Sequence, residues 1–338
     1  MIMNYYLVHR QNMEEKYTMK KIRISCESTN VLIATNSSEF IDLFLQKRRN
    51  VQKIIPGVSV NLLDDNVSLI EPYVIYIDSN SEKIVIDEKA NKALINLPIQ
   101  KLFFPDLVYL VLSMMSKELN KINQYFIHCS VVEKNNKGIM LIGDPGAGKT
   151  TLSLYLSMNK DFQFVCNDRA LLKFRDGTPY VTAGTLETSI RASVIPQFFP
   201  MLMEKVNMND REESWNSRLY LNSEFENIGI KLRSNVPVTY VLFLLTYPTS
   251  ASHTILEKYD TSKRQDLSIL KTMGCFSQYI RADNNMLISA EYPFPSFDTH
   301  ELACKRLKDV KKFICATEMY SARGDIKVLA EMIDKLVV

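Results

Sequence analysis

A short glycine-rich segment carries the clearest chemical signal in the chain. Residues 143–150 read Gly-Asp-Pro-Gly-Ala-Gly-Lys-Thr, which fits the spacing G-x-x-x-x-G-K-[ST] at every fixed position. A loop that wraps a polyphosphate turns its backbone N–H groups inward through positive φ angles, which glycine adopts at little steric cost. The pattern therefore predicts a nucleotide-phosphate site. Its predicted residues are Gly143, Asp144, Pro145, Gly146, Ala147, Gly148, Lys149, Thr150 and Thr151.

The residues on either side of this segment support the prediction. An apolar run of strand type precedes it at 137–142, and a helical pattern follows at 151–158. The start of a helix adds N–H groups and a favourable dipole to an anion site. Lys149 would reach the β- and γ-phosphates as a point charge, and the Thr150 hydroxyl would ligate Mg²⁺. The alternative is a glycine-rich turn that contains Gly-Lys-Thr by chance, which the flanking pattern disfavours.

Two further residues near the loop could take part in catalysis. Asp168 stands at the end of an apolar strand, where α/β sheets present groups that face ligands, and it could remove a proton from an acceptor hydroxyl. The alternative is a turn residue that caps the next segment. His128 could orient Asp168 or contact a phosphate oxygen. The alternative interpretation is that His128 is a core histidine within a strand.

Three more charged residues are weaker candidates. Glu187 could ligate the metal, although a solvated loop carboxylate is an equally good interpretation. Arg191 and Arg233 could stabilise charge on a transferring phosphate, since guanidinium binds phosphate through two hydrogen bonds. The alternative for each arginine is a surface ion pair.

Composition limits the protein class. The 338 residues are 46% apolar and 23% charged, as in an ordinary globular protein, and a net charge of +3 does not favour nucleic acid or an anionic membrane as a partner. Six cysteines form no C-x-x-C pair, which is typical of a reducing compartment. No apolar run approaches the roughly 18 residues of a membrane span, and the first residues do not have a signal-peptide pattern. We therefore expect a cytoplasmic protein.

The pattern of predicted secondary structure changes near residue 125. Residues 1–124 are predicted to form a β-rich α+β domain for recognition or packing, and residues 125–338 an α/β domain. In the first domain, residues 73–87 are expected to form a hairpin and 106–120 a helix. In the second, 237–245 is expected to be a central strand, and 325–338 a closing helix. Further strands are expected at 5–8, 22–25, 31–34, 58–62, 83–86, 93–95, 126–132, 139–142, 162–167 and 180–183.

The order of these features resembles a known enzyme family. A strand containing His128, a turn, a second strand, the loop, a helix and then the strand that ends at Asn167 and Asp168 are similar to the core of the HPr kinase/phosphorylase family. The resemblance extends to related kinases found with peptide-tailoring genes. It implies an α/β fold with a P-loop kinase core of the HPr kinase/phosphoenolpyruvate-carboxykinase-like type. It covers about 45 residues well, within 125–170, and the rest of 125–338 loosely.

The resemblance also implies roles for individual residues. The loop would cradle ATP or GTP, and His128 would lie close to the phosphates. Asp168 matches one acid of an Asp-Asp pair that binds Mg²⁺ and acts as general base, and Asn167 stands in place of the other acid. Glu187 falls roughly where the family has a further metal-linked glutamate.

Three functions remain open at this point. The first is a kinase that phosphorylates serine on a protein or precursor peptide, which a β-rich N-terminal domain favours. The second is a small-molecule kinase of the same fold. The third is a nucleotide-binding regulator with little catalysis, which the neutral Asn167 keeps open. HPr kinases assemble as oligomers, so the resemblance implies a homo-oligomer, although a shared fold does not determine assembly.

Overall fold

The protein is described by a computed structural model that covers residues 19–64, 67–205, 217–221, 225–260, 265–281, 287–288, 292–293 and 295–338. The strand predicted at 5–8 lies outside these residues. The chain divides into two compact units, Met1–Ile122 with Ser277–His300, and Asn123–Phe276 with Glu301–Val338. The segment Ser277–His300 thus groups with the first unit, whereas the sequence interpretation assigned it to the second. The reason is local packing, since Leu287–Ile288 contacts the helix Phe104–Lys121.

Unit 1 contains a six-stranded mixed sheet. Its strands are β1 (Lys20–Cys26), β2 (Thr29–Thr35), β3 (Val58–Leu63), β4 (Tyr73–Ile77), β5 (Lys83–Asp87) and β6 (Lys92–Asn96). Their order in the sheet is β3-β1-β2-β4-β6-β5. The β2–β4 and β4–β6 pairs are parallel, and the other pairs are antiparallel. The central strand β4 is buried along its whole length, as expected for a strand covered on both faces.

The hairpin predicted at 73–87 is wrong. Strand β6 lies between β4 and β5, so the hairpin of this region is formed by β5 and β6 instead. The turn of that hairpin is stabilised by Asp87, whose Oδ1 accepts hydrogen bonds from the N–H groups of Lys89 and Ala90. Asn91 completes the turn with a φ of +56°, a conformation that asparagine tolerates better than most residues.

Helices pack beside the sheet of unit 1. They are α1 (Ser38–Gln46), α2 (Arg48–Ile54) and α3 (Phe104–Lys121), with a 3₁₀ turn at Ile99–Lys101. Ser37 caps α1, since its Oγ accepts from the Phe40 N–H at 3.1 Å. Helix α3 begins close to its predicted start, with proline in the first turn. The ring of Phe40 stacks on that of Tyr76, with centroids 4.4 Å apart, and joins α1 to the sheet.

Unit 2 is a mixed α/β structure whose central strand is β15 (Val236–Thr246). Parallel strands β9 (Lys137–Ile142) and β19 (Glu318–Gly324) pair with its two edges. The remaining strands are β7 (Gln124–Ile127), β8 (Ser130–Lys134), β10 (Gln163–Cys166), β11 (Ala170–Arg175), β12 (Thr178–Gly184), β13 (Ser189–Arg191), β14 (Arg218–Tyr220) and β16 (Ile255–Lys258). The main path of the sheet runs β10-β8-β9-β15-β12-β11-β7, and β19 also pairs with β16. The strand predicted at 237–245 is therefore confirmed as central.

Helices cover both faces of this sheet. They are α4 (Lys149–Asn159), α5 (Ile195–Phe198), α6 (Gln265–Arg281), α7 (His300–Ala316) and α8 (Ile326–Val337). On one face, Leu141 and Leu242 lie in a core with Leu152 of α4 and Leu329 of α8. On the other face, Met140 and Val241 lie in a core with Phe313 of α7, among others. Among the described helices, none has the length and apolar character that a membrane span requires.

Short 3₁₀ turns and ribbons complete the described residues. The turns are Ala192–Val194, Pro200–Lys205, Glu226–Ile228 and Ala251–His253, and a two-stranded ribbon pairs β17 (Leu287–Ile288) with β18 (Tyr292–Pro293). Strands β8 and β9 form a hairpin with Lys134 opposite Lys137. Asn135 and Asn136 form its turn with φ angles of +55° and +60°, as a two-residue type I′ turn requires.

The cap of α8 gives a test of the fold. Asp325 Oδ1 accepts from the N–H groups of Lys327 and Val328 at 2.8 and 3.2 Å. We expect Asp325→Ala to lower the free energy of unfolding by about 1 kcal/mol, since it leaves two helix N–H groups without this acceptor. Urea unfolding measures the change. Asp325→Asn keeps a side-chain oxygen and is the control, and equal losses in both variants would contradict the capping role.

Candidate functional site

The glycine-rich loop runs from the end of β9 to the start of α4, and its shape depends on three glycines. Gly146 and Gly148 adopt left-handed φ angles of +87° and +92°. A Cβ on Gly143 would lie 2.6 Å from Leu244 O, and one on Gly148 would overlap the side chain of Thr246. The backbone thus turns and passes close to β15 at points where only glycine fits without strain.

Thr246 anchors the middle of this loop. Its N–H and its hydroxyl both donate to the carbonyl oxygen of Ala147, each at 3.0 Å. Thr246 is the last residue of β15, so the anchor joins the loop directly to the central strand. The sequence interpretation missed this residue, and the available signal was a threonine that closes a long apolar run.

Lys149 is buried against the loop that precedes it. Its Nζ donates to the carbonyl oxygens of Gly143 at 2.7 Å and Asp144 at 3.2 Å. Burial lowers the pKa of Lys149, and the negative charge of Asp168 is the largest influence that opposes this shift. The lysine is thus held by two neutral backbone oxygens beside a nearby carboxylate.

The three residues predicted to be catalytic lie close enough to influence one another's charge. Asp168 is the second residue after β10, with a φ of +64° and an exposed side chain. His128 follows β7 and is partly buried. Burial, followed by the positive charge of Lys149, lowers the pKa of His128 to about 4. The negative charge of Asp168 and a hydrogen bond to the backbone of Asp168 act in the opposite direction. The structure therefore brings His128, Lys149 and Asp168 together.

Asn167 joins three segments of the site. Its Oδ1 accepts hydrogen bonds from Thr150 Oγ1 at 2.9 Å and from Ser130 Oγ at 2.7 Å. Its Nδ2 donates to the backbone oxygen of Glu187 at 3.4 Å. Ser130 and Asn167 are both buried. Sequence reasoning did not identify Ser130, whose only signal was its place two residues after His128.

The other predicted residues occupy different positions. Glu187 reaches Asn167 through its backbone oxygen, and its side chain is partly buried. Arg191 lies on β13, directly opposite Arg218 of β14. The backbone N–H of Arg233 donates to Phe164 O at 2.9 Å. Both Arg191 and Arg233 have exposed side chains, so neither guanidinium is buried beside the loop.

Buried thiols lie behind the site. Cys129 and Cys166 are buried side by side, and burial raises the pKa of Cys129 well above its usual range. Burial likewise raises the pKa of Cys275 to about 11. Thiols in this state are protonated and behave as small apolar groups.

The donor atoms at the site suit a hard cation such as Mg²⁺. Thr150 and Asp168 offer oxygen atoms, and Thr150 donates its own proton to Asn167, which leaves the lone pairs of the Thr150 hydroxyl available. Among the described residues, no group of three or more His, Cys, Asp or Glu side chains could hold a metal. Mg²⁺ is commonly bound by one or two protein groups together with substrate phosphates, so this sparse donor set fits that ion.

Comparison with known proteins finds similarity among solved structures. No protein-family model and no curated protein matches the chain. Among solved structures, the chain is similar to the Hpr(Ser) kinase/phosphatase from Coxiella burnetii. The match covers 63% of this chain and 93% of the Coxiella chain, with 12% sequence identity and a TM-score of 0.30. A TM-score of this size carries no argument about function, and the interpretation of the site depends on its own geometry.

The two left-handed glycines of the loop provide a matched pair of variants. Gly148→Ala would strain the backbone and also press a methyl group into Thr246, whereas a methyl group on Gly146 meets nothing within 4 Å. We expect both variants to be destabilised, Gly146→Ala by about 1 kcal/mol and Gly148→Ala by clearly more. Thermal unfolding measures the difference. Equal losses would show that the approach of Thr246 does not constrain the loop.

The low pKa of His128 predicts a pH dependence. Its folded-state pKa of about 4 lies below the ordinary 6.5, so the unfolded chain takes up the proton first as the pH falls. The contribution of His128 to the free energy of unfolding is fully present above pH 6.5. It decreases by on the order of 2–3 kcal/mol as the pH falls towards 4. His128→Asn lacks this titration. The stability difference between wild type and variant should therefore shrink across this window in urea titrations, and a constant difference would contradict the burial of His128.

Proposed function

We propose that the protein is an ATP-dependent kinase that transfers the terminal phosphoryl group to a hydroxyl, with serine on a protein or peptide as the acceptor. The observation that carries the proposal is the grouping of Lys149, His128 and Asp168 beside a glycine loop that opens onto a helix start. This edge of the sheet is where parallel strands end, and α/β proteins bind ligands there.

Phosphoryl transfer asks the protein mainly for positioning and for neutralisation of charge. The N–H groups of the loop and of the first turn of α4 face the phosphates, and Lys149 exchanges its two carbonyl partners for phosphate oxygens. The acceptor oxygen attacks the γ-phosphorus and forms the new P–O bond. The bond to the bridging oxygen of ADP breaks, and the proton of the hydroxyl passes to the carboxylate of Asp168.

Thr150, Asp168 and, more distantly, Glu187 are the residues that would hold Mg²⁺. When bound, the ion neutralises charge on the β- and γ-phosphates. His128 is uncharged at neutral pH because its pKa is so low, so it does not add positive charge to the site. Its hydrogen bond to the backbone of Asp168 instead fixes the left-handed turn that presents the carboxylate.

The neutral Asn167 supports a second candidate, a nucleotide-binding regulator with little catalysis. A carboxylate at this position would strengthen cation binding, whereas the amide of Asn167 does not. The exposure of Asp168 favours the kinase, since a base that serves an incoming hydroxyl must be accessible. We place the reaction in the cytoplasm, because all six cysteines are unpaired, as expected in a reducing compartment.

The proposal predicts a separation between nucleotide binding and phosphoryl transfer. Asp168→Asn should lower the transfer rate by about 10²-fold or more while leaving the affinity for MgATP within a few-fold of wild type, because it removes only the base. Asparagine tolerates the left-handed φ of this position, so the fold should persist. Lys149→Ala should weaken both binding and transfer. Transfer of labelled phosphate from ATP to serine peptides, and to small alcohols in parallel, measures the rate, and calorimetry measures the affinity.

Asp176→Asn is the matched control. Asp176 is also exposed and left-handed, with a φ of +49°, but it lies in the turn between β11 and β12. It should keep the wild-type rate. A wild-type chain that binds MgATP without transfer to any acceptor would favour the regulator, and unchanged transfer in Asp168→Asn would refute the assignment of the base.

A further inference from the structure

The side chain of Asn167 is held in one orientation from several directions. It is 2% exposed. Its N–H donates to Thr185 O at 2.8 Å, and the Thr185 hydroxyl donates back to the carbonyl oxygen of Asn167. The Nδ2 donates to the backbone of Glu187, which identifies the other side-chain atom as the acceptor oxygen. This amide is therefore fixed in the sheet at both its backbone and its side chain.

The hydrogen bonds to Asn167 set the direction of the Thr150 hydroxyl. A hydroxyl has one proton, and Thr150 gives that proton to Asn167 Oδ1 at 2.9 Å. Ser130, which is fully buried, gives its proton to the same oxygen at 2.7 Å. Both acceptor positions of Oδ1 are thereby filled. The lone pairs of Thr150 Oγ1 are not used in this hydrogen bond and remain able to bind a cation.

We propose that Asn167, supported by Ser130, is a positioning residue that aims the Thr150 hydroxyl at a nucleotide-bound cation. The inference rests on the proposed nucleotide site. Asn167 stands where an acid was expected. Its task would be to accept two hydrogen bonds without adding a negative charge. Of the adjacent residues 167 and 168, only Asp168 then contributes a carboxylate.

The neutrality of Asn167 has a measurable consequence. A carboxylate at this position would repel the phosphates when no cation is present and would attract the cation when it is. An amide has neither effect. The chain should therefore depend on Mg²⁺ for nucleotide binding less strongly than its Asn167→Asp variant does, even though aspartate has almost the same shape and accepts the same two hydrogen bonds.

The test is the ratio of two dissociation constants for ADP, one measured with EDTA and the other with Mg²⁺, by calorimetry. ADP avoids turnover. The ratio is the dissociation constant with EDTA divided by that with Mg²⁺. Asn167→Ala should lower this ratio about tenfold, because ADP then binds more weakly in the presence of Mg²⁺. Loss of a group that orients a metal ligand typically costs 10–100-fold in affinity. Asn167→Asp should raise the ratio. Ser130→Ala should have a smaller effect than Asn167→Ala, because Asn167 keeps its bond to Thr150.

Asn120→Ala is the control for the loss of a buried amide. Asn120 is also 2% exposed, and its Nδ2 donates to Ser116 O within α3. This variant should be destabilised in thermal unfolding and yet keep the wild-type ratio. If Asn167→Ala does not fold, Asn167→Asp still decides the question, since it preserves the shape and the two hydrogen bonds that the side-chain oxygen accepts from Thr150 and Ser130.

Each outcome separates the two proposals. A wild-type ratio in either Asn167→Ala or Asn167→Asp would overturn the positioning role. If the ratio changes as expected but no acceptor is phosphorylated, the positioning role stands and the kinase proposal fails. If the wild-type chain binds ADP in neither buffer, both proposals are overturned.

Discussion

The site depends on the parallel pairing of β15 with β9. Ile142, the last residue of β9, lies opposite Phe243, so β15 extends beyond it as far as Thr246. This overhang provides the threonine that holds the carbonyl of Ala147 and fixes the middle of the loop. The pairing is stable because both faces of β9 and β15 are buried under helices.

The charge of Lys149 is the second constraint on the site. A buried ammonium is costly unless hydrogen bonds compensate for the loss of water, and here the carbonyls of Gly143 and Asp144 supply them. The same charge contributes to the low pKa of His128, which therefore stays neutral near physiological pH. In the proposed nucleotide site, a phosphate oxygen would be a stronger, charged acceptor for Lys149 than either of these neutral carbonyls.

Local features of the site were largely predictable, and long-range ones were not. The glycine positions, the two-residue turn at Asn135 and Asn136 and the central strand β15 each follow from a short sequence pattern. The partners of Asn167 are 37 and 17 residues away, and Thr246 lies 99 residues from Ala147, so no local pattern connects them. The incorrect hairpin at 73–87 has the same cause, because a turn signal does not reveal that a later strand inserts between its two arms. The kinase family and the acceptor remain predictions.

The order of Asn167 and Asp168 divides two tasks between neighbouring residues. The buried position holds Thr150 and Ser130, which needs an acceptor oxygen but no charge, and a charge there would be costly to bury. The exposed position is itself left-handed and presents a carboxylate, which can accept a proton as an amide cannot. Exchanging the two residues would place the charge where it is expensive and remove the base from where a substrate can reach it. In the proposed kinase, the order Asn-Asp would therefore combine a fixed Thr150 hydroxyl with an accessible base.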